Sequence, residues 1–162
     1  MRQLQHSLAA GLQAPLTRTF RVQVTDPHGL TATDTATVNV IWAFGGFRPP
    51  IDGDALNVVT AGSTVPVKFS LAGDQGLNIF KPGYPASASY TCGSVPPTDA
   101  TTPAALAEPF RYDRSTDEYV FAWKTDKAWA GTCRVFVLGL RDGTIHTVTF
   151  QFKKGTEAAT RK

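Results

Sequence analysis

The run from Asp117 to Phe152, DEYVFAWKTDKAWAGTCRVFVLGLRDGTIHTVTFQF, reads as three consecutive β-strands and constrains the fold more than any other part of the chain. Tyr119, Phe121 and Trp123 alternate with Val120, Ala122 and Lys124. Cys133, Val135 and Val137 share one face, opposite Arg134, Phe136 and Leu138. His146, Val148, Phe150 and Phe152 alternate with Thr147, Thr149 and Gln151. Side chains two apart on one face are the mark of extended chain, not helix. Asp142-Gly143 is a strong hairpin signal between the last two strands. TDKAWAGTC makes a short corner leading into the strand that opens on Cys133. A strand, a corner, a cysteine strand and a closing hairpin strand is how an immunoglobulin-like sandwich ends. The expected fold is therefore all-β, an immunoglobulin-like antiparallel β-sandwich.

The start of the chain is weakly patterned. Leu4, Leu8 and Leu12 line one helical face, but Gly11 and Pro15 interrupt it. From Thr17 the pattern sharpens: Phe20, Val22 and Val24 alternate with Arg21, Gln23 and Thr25. Asp26-Pro27-His28-Gly29 supplies a turn. Ala36, Val38, Val40 and Trp42 then face one way. An isolated hairpin is marginal in water and needs a partner sheet. The segment TFRVQVTDPHGLTATDTATVNV, within residues 17–42, resembles the end of a PKD-type or related bacterial immunoglobulin-like repeat, lacking the strands that precede it there. Residues 1–42 are accordingly expected to be the last two strands of a truncated repeat.

AFGGFRPPIDGDALN, over residues 43–57, reads as a linker or first edge strand, with Phe44 and Phe47 docked. Next, Val65, Val67, Phe69 and Leu71 alternate with Pro66, Lys68 and Ser70 after a turn at Ala61-Gly62-Ser63. Pro66 cannot donate to a ladder, so it must face an edge or a bulge. Lys68 reads as an outward position that protects an edge from further pairing. Turns fall at Gly73-Asp74 and Pro82-Gly83, and a strand ends at Cys92. GSVPPTDATTPAALAEP is a loop without periodicity, and FRYDRSTDEY forms another hairpin entered by Phe110 and Tyr112.

These segments keep the order seen in the PxKF domain of bacterial secreted and surface proteins, which the chain resembles over residues 44–152. The naming motif stands here as Pro66-Val67-Lys68-Phe69. Asp117 departs from the glycine expected in its turn. The resemblance implies an immunoglobulin-like module near the end of a long exported protein, with no defined activity. The main domain is expected over 58–152, with a basic flexible tail over 153–162.

Cys92 and Cys133 are an even pair in strand-like contexts. In a β-rich chain with 18% charged residues they read as one disulfide, which persists in an oxidising compartment. Closing a loop of about 40 residues would stabilise the fold by about 4 kcal/mol on the chain-entropy model. Two buried free thiols in a cytosolic protein are the alternative. QLQHSLAAGLQAPL lacks an apolar run of signal-peptide length, and no stretch is long enough to span a membrane. A chain that looks exported but has no leader is expected to be a fragment of a larger secreted protein, or a reading frame that begins inside a domain.

The formal net charge is +3, and the last ten residues account for it: Lys153, Lys154, Arg161 and Lys162 against Glu157. A balanced folded part argues against a nucleic-acid partner and for a solvated terminus.

Three histidines, His6, His28 and His146, stand without a nucleophile or metal motif around them. Asp113 and Asp117 pair on paper but suit a turn. No catalytic residues are assigned. Asp52, Asp54 and Asn57, with Asp74 in another turn, offer oxygens for calcium, but fewer than the six to eight that ion takes, so no cofactor is expected. Sugar binding would need exposed aromatics among Trp42, Trp123, Trp129, Tyr84, Tyr90, Tyr112 and Tyr119. Trp129 and Tyr84 are the candidate ligand contacts. Phe69, Trp123, Tyr119 and Phe150 are the expected core, with Trp123 against the disulfide as in related folds. The expected function is a non-catalytic spacer or adhesion module at the cell surface. Its partners would be neighbouring immunoglobulin-like or PKD domains, or a surface protein or polysaccharide, with no membrane insertion. The competing reading is a carbohydrate-binding module attached to a secreted hydrolase.

Overall fold

The alternation read from the sequence builds the sheets directly. The structure, a computed structural model, describes residues 15–155. Leu4, Leu8 and Leu12, read as one helical face, lie outside the described residues with His6, as do Glu157, Arg161 and Lys162. The chain divides into two units, Met1–Trp42 and Ala43–Lys162.

Among the described residues the first unit is one hairpin. Strands β1 (Leu16–Thr25) and β2 (Thr31–Val40) pair antiparallel, with Phe20 opposite Ala36 and Val24 opposite Ala32. The Asp26 carboxylate accepts from the N–H groups of His28 and Leu30, and Gly29 supplies the positive φ of 86° that closes the turn. Phe20, Val22 and Val24 form an apolar face that is exposed.

The second unit is a two-sheet sandwich. Its strands are β3 (Phe47–Arg48), β4 (Asn57–Thr60), β5 (Thr64–Phe69), β6 (Ala86–Tyr90), β7 (Thr102–Pro103), β8 (Arg111–Asp113), β9 (Glu118–Lys124), β10 (Cys133–Gly139) and β11 (Ile145–Lys153). One sheet has the order β4-β11-β10-β6-β7, the other β3-β5-β9-β8. The all-antiparallel expectation fails at one pairing, because β4 runs parallel to β11. The chain crosses between sheets at Thr60–Thr64, so β4 must finish at the end of the sandwich where β11 also finishes. Residues 43–57 contribute β3, the edge strand beside Phe69 and Lys68. That two-residue partner stops short of Pro66, which sits where no neighbouring strand needs its missing N–H.

The core between the sheets is aromatic. Trp123 is fully buried, with its ring centroid 5.0 Å from Phe136, 5.3 Å from Phe150 and 5.9 Å from Phe152. Phe69 stacks on Tyr119 at 5.4 Å. All four expected core residues, Phe69, Tyr119, Trp123 and Phe150, have 0% exposure.

Alternation alone does not describe β10, where every residue is buried. Arg134, Phe136 and Leu138 line its inner side. Its other side carries Val135 and Val137, which pack with Ala86, Ala100, Tyr84, Ala88 and Tyr90 in a second, smaller core. Ala100 comes from the segment read as an unpatterned loop, which instead folds over the sheet and adds β7. Tyr84 lies so close to Gly139 that a Cβ there would sit 2.7 Å from the ring, so only glycine fits. The Tyr84 hydroxyl donates to the Asp99 carboxylate, which also accepts from the Ala100 N–H. That link ties the covering segment in place.

Cys92 and Cys133 form a disulfide. Cys133 opens β10 opposite Tyr90, the last residue of β6, and Cys92 follows two residues later. The bond therefore staples two neighbouring strands of one sheet. It does not bridge the two sheets, and the rings around Trp123 are aromatic neighbours from β10, β11 and the corner.

Candidate functional site

The polar residues offered by the sequence for chemistry are engaged in holding turns and loops. In the β8–β9 hairpin Asp117 has φ 55°, a region that favours glycine. Its two carboxylate oxygens accept hydrogen bonds from Tyr112 at 2.6 Å and Ser70 at 2.9 Å. Those bonds offset the backbone cost and explain an aspartate where glycine was expected. They also hold the Asp117 carboxyl below its ordinary range, Tyr112 first and Ser70 second. The same contact pushes the Tyr112 phenol up to about 12. Asp113, the other half of the paper pair, accepts instead from the Ser115 N–H and hydroxyl.

The pH dependence follows from these directions. A carboxylate depressed in the folded state contributes stability that is present above its unfolded value of about 4 and is lost as pH falls through the folded value. For Tyr112, whose folded value is raised, the contribution is complete below about 10 and lost as pH rises towards about 12. Urea midpoints measured from pH 7 down to pH 2 are expected to fall at the acid end. Asp117→Asn is expected to flatten that fall; a variant profile parallel to the parent's would contradict the assignment.

Asp52, Asp54 and Asn57 close a loop on themselves. The Asn57 side-chain oxygen accepts from the Asp52 N–H, and its amide donates to the Asp52 and Ala55 carbonyls. Asp52 accepts from the Asp54 N–H. Asp74 accepts from the Gly76 N–H and lies 3.6 Å from Arg114. Among the described residues no three metal-ligating side chains of the His, Cys, Asp or Glu type gather.

His146 is half-buried and stacks on Phe44, with centroids 3.7 Å apart. Burial lowers its pKa, and Asp142 pulls the other way. His28 lies in the exposed β1–β2 turn. Phe44 also meets Phe47 edge-on at 5.4 Å, so both are docked as expected. Lys68 pairs with Glu118 across β5 and β9 at 3.7 Å on the outward side.

None of the chain's three tryptophans and four tyrosines is an exposed ring. Trp42 is 6% exposed and Trp123 and Tyr119 are fully buried. Trp129, Tyr84, Tyr90 and Tyr112 are half-buried. Trp129 sits on a single 3-10 turn (Lys127–Trp129) capped by Asp126, whose carboxylate accepts from the Ala128 N–H at 2.9 Å. Its ring packs on Trp123 at 5.6 Å and on Phe152 at 5.4 Å. Arg134 is the residue that periodicity could not flag. It lies on the inner side of β10, with its guanidinium 4.1 Å from the Trp129 ring centre. One of its nitrogens donates to the Ser87 hydroxyl at 3.3 Å, and Nε has no partner. Burial lowers its pKa.

The fold and these contacts define a class: an all-β sandwich with an aromatic core, one sheet of which is stapled by a disulfide. No family model matches the chain, and no curated protein or solved structure matches it.

Proposed function

We propose that the chain is a non-catalytic structural module, a spacer or adhesion domain of a modular exported bacterial protein. On this reading residues 44–152 are a PxKF-type domain that follows the closing hairpin of a PKD-type repeat. The observation that carries the reading is the Cys92–Cys133 staple on a densely aromatic sandwich. A covalent link between β6 and β10 resists unfolding and suits an oxidising environment. The side-chain oxygens offered for chemistry are committed to turns and loops, as those of Asp117, Asp113 and Asn57 are. Among the described residues no helix is long and apolar enough to cross a membrane.

Cell fractionation tests this directly. Antibody against the chain, applied to the source cells, is expected to find it in the surface or secreted fraction and accessible to added protease. Recovery only from the cytosol, protected from protease until lysis, would overturn it.

A further inference from the structure

Cations converge on one end of the sandwich. β9 ends on Lys124 and β11 on Lys153, followed by Lys154. The 3-10 turn begins at Lys127, and Arg134 adds its charge against the Trp129 ring. Two depressions of about 620 and 530 Å³ open here and share Gly62 and Lys127. Lys154 borders the first; Lys124 and Trp129 border the second. Asp126 is the one carboxylate in either lining, and it is engaged by the Ala128 N–H. Among the described residues none of the lysines here lies within ion-pair distance of a carboxylate. Gly62 lets the stem of Lys127 pack against the backbone: a Cβ at that position would fall 2.4 Å from Lys127 Cγ, and its φ of +81° favours glycine.

We propose that this end is a binding groove for an acidic polysaccharide, a sugar polymer with repeated carboxylate or sulfate groups. The proposal rests on the reading of the chain as an exported adhesion or spacer module and names the partner class. Unpaired like charges around a concave surface focus a positive potential into it. Lysine ammonium groups are flexible point charges, unlike the rigid planar fork of arginine. They suit anions repeated along a polymer better than one carboxylate of fixed geometry. Between the lysines the floor is formed by the small residues Ala61, Gly62, Ser63 and Ala130. It offers no large aromatic or aliphatic side chain of the kind that anchors a protein partner. Single-stranded nucleic acid is held by stacking on aromatic platforms, and no tryptophan or tyrosine of the chain is exposed.

Affinity electrophoresis of the full chain through gels containing polygalacturonate or heparin tests the groove. Neutral dextran, polyglutamate and single-stranded DNA serve as comparators. The groove variant is Lys124→Gln/Lys127→Gln/Lys154→Gln. A charge-matched control, Arg111→Gln/Arg114→Gln/Arg141→Gln, removes three charges at the β8–β9 and β10–β11 hairpins, the opposite ends of the strands that carry Lys124 and Lys153. The parent is expected to be retarded by at least one of the two acidic polysaccharides and not by dextran, with retardation weakening as salt rises. Polygalacturonate binding shows that carboxylates suffice; heparin, which carries carboxylates as well as sulfates, points to sulfate when it binds and polygalacturonate does not. The groove variant is expected to lose about tenfold or more in affinity, and the control about twofold or less. Equal losses in both variants would overturn the proposal, as would equal or tighter binding of polyglutamate or DNA. No binding to either polysaccharide, with cooperative unfolding intact, would end the groove and leave the spacer reading to the fractionation result.

Discussion

Cys92→Ser/Cys133→Ser lowers the unfolding free energy by about 4 kcal/mol on the chain-entropy model. The two cysteines are 41 residues apart, and the bond restricts the unfolded chain over that whole loop. In the folded state the staple joins strands that are already hydrogen-bonded neighbours, with Cys133 opposite Tyr90. The double variant should therefore keep the native β-sheet circular dichroism while its urea midpoint drops. A change below about 1 kcal/mol would mean that the loop is already constrained in the unfolded chain. The cost should be similar under reducing conditions applied to the parent.

Trp123→Ala is expected to cost about 3–5 kcal/mol, the range for removing a large buried aromatic. Trp123 has no exposure and touches rings from the facing sheet and from the corner: Phe136, Phe150, Phe152 and Trp129. No single neighbour can move in to fill the space. Trp123→Phe is expected to cost clearly less. It leaves a smaller cavity, and it removes an indole N–H that is buried without a hydrogen-bond acceptor. Chemical unfolding of the three proteins should give the order parent, Trp123→Phe, Trp123→Ala in falling stability. An alanine variant as stable as the parent would show that the sandwich is not held together at this position.

The strands were legible because a period-two recurrence of large apolar side chains survives on β5 and β11, where the opposite face is more exposed, and on β9 and β10, where both faces are buried. It gave β5 from Val65 to Phe69, β9 from Tyr119 to Trp123 and the β10–β11 hairpin. There Gly143 takes the positive φ of 92° and Asp142 accepts from the Thr144 N–H and hydroxyl. The cysteine pairing was legible from number and context. Its placement within one sheet was not, because strand order depends on contacts distant in sequence. The parallel β4–β11 pairing was hidden for the same reason.

The outer core escaped because Ala100 and Tyr84 carry no period. They cover β10 from two separate loops, held by the Tyr84–Asp99 hydrogen bond and by the room that Gly139 leaves. The grouping of charge in space is not legible from its position along the chain. Lys153 and Lys154, counted with the tail, are described and close the same end of the sandwich as Lys124 and Lys127. A running balance along the chain cannot show that lysines from three segments, Lys124, Lys127 and Lys154, border one pair of depressions. Of the candidate ligand contacts, Trp129 lies beside that groove, whereas Tyr84 serves the outer core.

The most direct test of a disulfide-stapled exported module is the state of its two cysteines in the protein made by its own cells. The chain is purified, denatured without reductant and treated with a thiol-alkylating reagent, and its intact mass is measured. An unmodified mass, shifting by two adducts only after reduction, is the expected result. Two adducts before reduction would contradict both the staple and the oxidising compartment on which the proposed function depends.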